Sequence, residues 1–265
     1  MQYIKTETDD GILIVTMSRG KANALDSVMV DELSACIKEA ASSESVRGVV
    51  LASDRQRFFS GGFDVLEVFG FDRETMTEFF GRFIDLYEAM LSLPKPIVAA
   101  ASGHAYAGGA VLALASDARV MAEGEYGLAL NEINLGIVLP PGMMRMAIRA
   151  VGTRVAREMV VEGRTLTPGE SLEAGLACEL AAPEETLGRA IRKARALAEK
   201  PALTYGGVKR LFNEVVGLPP AASDRDALGR FIEHWFSPEC VRHRQSLIDS
   251  LKERSQKPES RSQNL

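Results

Sequence analysis

The segment from Leu93 to Ser116, LPKPIVAAASGHAYAGGAVLALAS, constrains the fold more than any other. Pro96–Ser102 reads as a buried strand, and the small apolar residues after the adjacent glycines Gly108 and Gly109 read as a helix running to about Ser116. Adjacent glycines mark a place where backbone comes close to something. Yet Ala110 and Val111, just beyond them, offer no acid, base or nucleophile. An earlier stretch, RFFSGGFDVLEVFG (Arg57–Gly70), has the same form. A strand ends near Ala52, a Gly61–Gly62 pair follows, and a helix is expected from about Asp64, with Asp64 and Glu67 at capping-box spacing.

Around these two transitions, strand and helix alternate. Tyr3–Thr8 and Ile12–Met17 are β-rich runs split by the hairpin signal DDG. Asp26–Ala41 carries Val30, Leu33, Ile37 and Ala40 at helical spacing, and Val46–Ala52 is a short apolar strand. Thr75–Leu93 is a long helix with Phe79, Phe83, Leu86 and Met90 on one stripe, stopped by LPKP, and Ala118–Ala122 is a strand. Such alternation predicts an α/β fold with right-handed crossovers. From about Thr167 helix dominates, through Glu184–Glu199, Pro201–Val216, Ala221–Trp235 and Cys240–Arg254. We therefore expect a core over 1–200, a helical region over 201–254, packed on its own subunit or a neighbour, and a polar, disordered tail over 255–265.

Several function classes are disfavoured. The net charge of −5 argues against a general affinity for nucleic acid. The three cysteines, Cys36, Cys178 and Cys240, are far apart and form no CxxC, as free thiols in a reducing compartment would be. No apolar stretch reaches the ~18 residues of a membrane span, the N-terminus has no signal-peptide form, and the terminal NL is not a peroxisomal address, so a cytoplasmic location is expected. There is no GxGxxG after a strand, no GKS/T loop and no GxSxG elbow. His104, His234 and His243 lack metal-ligand spacing; His104, beside the glycine run, either lines a pocket or is structural, the second being favoured.

What remains are the two strand-to-helix turns. Each leaves free N–H groups at the positive end of a helix. Two such groups converging from separate loops make an oxyanion hole, and glycine lets a carbonyl approach them. Taken singly, each glycine pair is better explained as a tight turn.

KANAL (Lys21–Leu25), FFSGGFD (Phe58–Asp64), LPKPIVAAASGHAYAGGA (Leu93–Ala110), SDARVMAE (Ser116–Glu123) and NEINLGIVLPPG (Asn131–Gly142), in this order, resemble the crotonase, or enoyl-CoA hydratase/isomerase, superfamily. The resemblance covers most of the chain. It implies a spiral of ββα units with a helical C-terminal trimerisation region, assembled as a homotrimer or a hexamer, and an acyl-CoA thioester substrate. It implies that the Phe63 and Gly108 N–H groups hold an enolate oxygen, and that Lys21, Ala22 and Gly62, Asp64 and Val65 lie along the CoA. Lys21 reads equally as a solvated lysine, and Asp64 more readily as a helix N-cap. Tyr106, Met143 and Met144 line the acyl channel or simply pack. CoA enters as part of the substrate, and no metal or other cofactor is implied.

Hydratases of this family carry two glutamates. The position of one, three residues after Gly108, is Val111 here; the other is Glu132, four residues before Gly136. One retained acid favours moving a double bond over adding water, because a single base can take a proton at C2 and return it at C4. The flanking Leu130, Ile133 and Leu135 are expected to raise the pKa of Glu132. FSGGFDVLEV, AGGAVLAL and GLALNEINLGIV are most similar to Δ3,Δ2-enoyl-CoA isomerases of the mitochondrial type. Phe63 departs from the pattern by its bulk. The expectation is a 3-enoyl-CoA isomerase; hydration, thioester hydrolysis or non-catalytic acyl-CoA binding are the alternatives.

Overall fold

The computed structural model describes residues 1–218 and 221–256. A six-stranded sheet runs in the order β1 (Ile4–Asp9), β2 (Ile12–Met17), β3 (Gly48–Ser53), β5 (Ile97–Ala101), β7 (Ala118–Ala122), β9 (Glu179–Ala181). The β1–β2 hairpin is antiparallel and the other pairings are parallel. Its strands alternate strictly. Val49, Leu51, Ile97 and Ala99 face the main core, while Val50, Ala52, Val98 and Ala100 face a second cluster closed by Ala190 and Ala194 of α7 (Thr186–Ala198). A parallel sheet covered on both faces explains why β3 and β5 read as near-continuous apolar runs, and β7 as one interrupted only by Arg119.

A second, three-stranded parallel sheet, β4 (Phe58–Ser60), β6 (His104–Tyr106) and β8 (Leu128–Ala129), had no counterpart in the sequence reading. Its strands are short and polar-edged, and their pairing joins segments far apart in the chain. Each turn of the spiral supplies one strand to each sheet: β3 then β4, β5 then β6, β7 then β8. This is the ββα repeat.

The glycine-led helix α4 (Gly108–Ala115) sits at the centre with all eight residues buried. Its small side chains are a steric requirement: a Cβ on Gly109 would lie 2.3 Å from the Ser60 carbonyl oxygen of β4. Helix α1 (Ser27–Ser42) is capped by Asp26, whose carboxylate accepts the Met29 N–H at 2.7 Å. Helix α3 (Arg73–Ser92) is capped by Asp72 and ends at LPKP, as expected.

Helix α5 (Pro141–Val161) had no counterpart in the sequence reading; Gly152, at φ 72°, interrupts the helical backbone inside it. After α6 (Pro168–Glu173) and α7, the C-terminal region forms α8 (Ala202–Val215), α9 (Ala221–Trp235) and α10 (Pro238–Gln256). The expected disordered tail is shortened at its start, since Ser255 and Gln256 belong to α10; 257–265 lie outside the described residues. Helix α9 packs on α3 of its own subunit, with the Phe80 and Phe231 rings stacked at 3.8 Å. Among the described residues no helix is long and apolar enough to cross a membrane.

Candidate active site

The small sheet builds the site. Its strands are parallel, so their C-terminal ends open side by side, the usual place for a ligand in such sheets. From β4 come Gly61, Gly62 and Phe63; from β6, Tyr106, Ala107 and Gly108; from β8, after one more residue, Asn131 and Glu132. The three ends border one cavity of about 530 Å³. Phe63, Val65, Gly108, Val111, Glu132 and Met143 all line it.

The first loop is held by the KANAL segment, which runs beside it as a parallel bridge between Leu25 and Phe63. The Leu25 N–H donates to Gly62 O at 2.8 Å, the Asp64 N–H to Leu25 O at 2.9 Å, and the Gly61 N–H to Ala22 O at 2.8 Å. In such a bridge the neighbours of Phe63 use the inner side, so the Phe63 N–H faces away from Leu25. Gly62 has φ 91°, and a Cβ there would meet Ala107 Cβ and Tyr106 O at 2.9 Å and Gly108 N at 3.3 Å. Only glycine lets the first loop lie this close to the second.

In the second loop Ala107 takes φ 48°, ψ −120°, a conformation that costs a non-glycine residue about 1–3 kcal/mol. That corner turns β6 directly into α4, leaving Gly108 as the first helical residue, whose N–H has no intrahelical acceptor and sits at the positive end of the helix dipole.

Glu132 opens a one-turn 3-10 helix, Glu132–Leu135, closed by Gly136 in the left-handed conformation at φ 67°. Its side chain is 7% exposed, and Oε2 is enclosed without a hydrogen-bond partner. Burial pushes its carboxyl up to about 7. It is the sole carboxylate among the lining residues. Apart from Asn131 and Tyr106 the rest of the wall is largely apolar, with Val111 on α4, Phe80 and Phe83 on α3, and Phe231 and Trp235 on α9.

The remaining candidates fall elsewhere. Asp64 caps α2 (Val65–Val68), accepting the Leu66 N–H at 3.0 Å, and pairs with Arg19 at 2.7 Å. The expected capping box does not close, because the Glu67 carboxylate accepts the Ser27 N–H at 3.2 Å instead. Ala22 and Gly62 are scaffold beside the cavity. Lys21 lies in an open groove of about 720 Å³ with Arg55, Gln56 and Arg57; Phe58 borders both this groove and the cavity. His104 is structural: its Nδ1 accepts the Gly127 N–H at 3.1 Å and lies 2.8 Å from the Tyr106 hydroxyl. Burial and Arg57 lower its pKa.

Sequence reasoning missed three features. Arg19 bridges Asp26, at 2.8 Å, and Asp64, tying the base of the first loop together, yet nothing in SRG signals it. The aromatic wall from α9 sits in a helix the sequence reading set apart from the core; the site therefore extends beyond residues 1–200. Asp224 at the start of α9 accepts the Gly142 N–H at 2.7 Å and the Tyr87 hydroxyl, pinning this helix to α5 and α3.

The cavity thus joins two backbone turns to one desolvated carboxylate, the equipment for proton transfer at carbon next to a polarised carbonyl. Comparison with known proteins identifies the class. The family model described as Enoyl-CoA hydratase/isomerase matches residues 7–257. A probable enoyl-CoA hydratase of Bacillus subtilis (strain 168) is 35% identical over 204 residues, 76% of this chain and 76% of that protein. Mitochondrial enoyl-CoA delta isomerase 1 of Mus musculus is 29% identical over 188 residues, 71% of this chain and 65% of that protein. The crystal structure of human mitochondrial delta3-delta2-enoyl-CoA isomerase superposes with a TM-score of 0.91, covering 96% of this chain and 99% of that one at 23% identity, and so shares the fold. The chain belongs to the enoyl-CoA hydratase/isomerase family and is an enzyme of that family.

Proposed function

We propose that the enzyme converts 3-enoyl-CoA to 2-enoyl-CoA thioesters. The observation that carries this reading is the solitary Glu132 carboxylate in a cavity whose lining also includes the aliphatic Val111. The thioester carbonyl lies at the two loop ends, where the N–H groups of Phe63 and Gly108 accept the charge that develops on oxygen. Glu132 removes a C2 proton, giving a dienolate and a neutral carboxylic acid. The same acid returns the proton at C4, the electron pair moves into the C2–C3 bond, and no atom is gained or lost. Apolar walls exclude water that would compete for the proton. The nucleotide end of CoA extends along the groove of Lys21, Arg55 and Arg57, where cationic side chains meet its phosphates. Self-association as a trimer or hexamer places the exposed Leu203, Val208, Phe212 and Val215 of α8 in an interface, readable by sedimentation.

Hydration by Glu132 is the second reading; it is favoured by the Bacillus subtilis relative and by Asn131, a polar side chain in the lining able to hold a water. Assay of 3-enoyl-CoA and 2-enoyl-CoA separates them. Conversion of the 3-enoyl substrate to the conjugated 2-enoyl thioester, with no 3-hydroxyacyl product, is expected. Turnover of the 2-enoyl substrate to 3-hydroxyacyl-CoA without isomerisation refutes the proposal.

A further inference from the structure

The C-terminal helices do more than wall the cavity. They converge on the turn that carries Glu132. The His234 ring of α9 places Nε2 2.8 Å from Gly136 O. A carbonyl only accepts, so Nε2 carries the proton and His234 donates. From α10, Cys240 Sγ lies 4.0 Å from Leu135 O. A Cβ on Gly136 would meet His243 Cδ2 at 3.3 Å and the Cys240 Cα at 3.6 Å. Two histidines with no metal-ligand spacing in sequence thus meet at one glycine.

That glycine closes the 3-10 turn. The Ile137 N–H donates to the backbone oxygen of Glu132 at 3.0 Å, and the Gly136 N–H donates to that of Ile133 at 3.0 Å, with Glu132 O as its second acceptor. A short turn of this kind has weak internal bonding. Of the Glu132 carboxylate, Oε2 has no partner, and the hydrogen bond it does make is to the backbone of Glu132 itself, within the same turn. The orientation of the base therefore depends on what holds the far end of the turn, and the polar contact there comes from His234.

We propose that His234 is a positioning residue for Glu132: its hydrogen bond to Gly136 fixes the turn so that the carboxylate is held in register with the substrate. The inference rests on Glu132 being the proton shuttle. It predicts an effect on the chemical step with little effect on binding, because a displacement of about 1 Å in a reacting group costs on the order of 10²-fold.

The test uses the full-length protein with His234→Leu, His234→Asn and His234→Gln. Gln places an amide N–H where Nε2 stands; Asn falls short of it, and Leu removes the donor. Binding is read with a saturated, non-reacting acyl-CoA through the fluorescence of Trp235, the single tryptophan, which lines the cavity. For His234→Leu and His234→Asn we expect kcat to fall roughly tenfold to a hundredfold, with KM and the saturated acyl-CoA Kd within about twofold. His234→Gln should stay within about threefold of wild type. In a Glu132→Gln background, His234→Leu should cost nothing further, as expected of residues acting as a unit. Equal behaviour of Leu, Asn and Gln overturns the proposal, as does a rise in KM and Kd at constant kcat, or an additive loss in the Glu132→Gln background. If wild type or Glu132→Gln shows that Glu132 is not the shuttle, the clasp is read alone by hydrogen exchange. Faster exchange of the Gly136 and Ile137 amides in His234→Leu but not in His234→Gln supports it; unchanged exchange refutes it.

Discussion

Replacing Glu132 by Gln should reduce turnover to a small residual rate and at the same time stabilise the protein, by an amount that depends on pH. Folding moves this carboxyl from its ordinary 4.5 to about 7, and burial is the main cause. The folded state thus binds a proton more tightly than the unfolded chain. Below pH 4.5 both states are protonated and the group costs nothing. As pH rises through 7 the folded protein must hold a buried charge, and stability is lost. The full difference, 7 − 4.5, is two and a half pKa units at about 1.4 kcal/mol each, or about 3 kcal/mol at pH 8. At pH 5 most of that penalty is absent, and about 1 kcal/mol remains. Gln has the same shape and no charge. The gain from Glu132→Gln over wild type should therefore be larger at pH 8 than at pH 5 by about 2–3 kcal/mol, roughly 5–10 °C in thermal midpoint for a chain of this size. Glu88 also titrates near 7, raised by burial and by Asp224, but it is common to both proteins and cancels in the difference. Calorimetry of the two proteins at both pH values is the assay. A difference in Tm that does not change with pH means that Glu132 is not a desolvated carboxylate, and the reasoning fails.

The remaining predictions concern the site and its frame. Wild-type kcat should rise with pH to a plateau, half-maximal near 7 and about a tenth of maximal at pH 6, because the base must be ionised to accept the C2 proton; a flat profile between pH 6 and 8 counts against it. Gly62→Ala forces a Cβ to within 2.9 Å of Tyr106 O at φ 91°, parting the two loops; kcat should fall on the order of 10²-fold, checked by steady-state kinetics. Asp224→Ala strands the Tyr87 hydroxyl and the Gly142 N–H at about 1–3 kcal/mol each, so the thermal midpoint should drop and KM rise as α9 loosens. Asp224→Asn keeps an acceptor and should lose less in the same melts.

The readable parts of this protein are those where local pattern and tertiary demand coincide. Strands β2, β3, β5 and β7 are largely apolar because both faces of their sheet are covered, so each run is legible without its partners. Gly62 and Gly109 are legible because each stands where a side chain would collide with backbone. The small sheet is not: β8 is two residues long and exists through pairing with β6. Helix α5 hides behind two prolines that mark its start rather than a stop. The contribution of α9 escaped for another reason. Phe231 and Trp235 lie on an ordinary amphipathic stripe, and that pattern says a face is buried without saying against what.

Perturbed ionisation alone does not locate the site; what decides is whether the perturbed group has partners. Arg119 is buried and its pKa falls to about 10, yet its guanidinium donates to the carbonyls of Ala113, Ser116 and Leu176 and closes the C-terminal end of α4. Lys209 is buried as well and bonds Asp117 at 2.8 Å. Both groups are spent on structure. Glu132 is perturbed about as far as Arg119 and has nothing comparable around its Oε2. Burying a carboxylate without compensation is costly, and a fold free to choose would place Leu or Gln there. The same strand ends hold the strained Ala107 and the left-handed Gly62. Departures from local preference gather at functional sites because elsewhere selection has no reason to retain their cost. Glu132, Ala107 and Gly62 stand together at one cavity, and their position depends on no likeness to another protein.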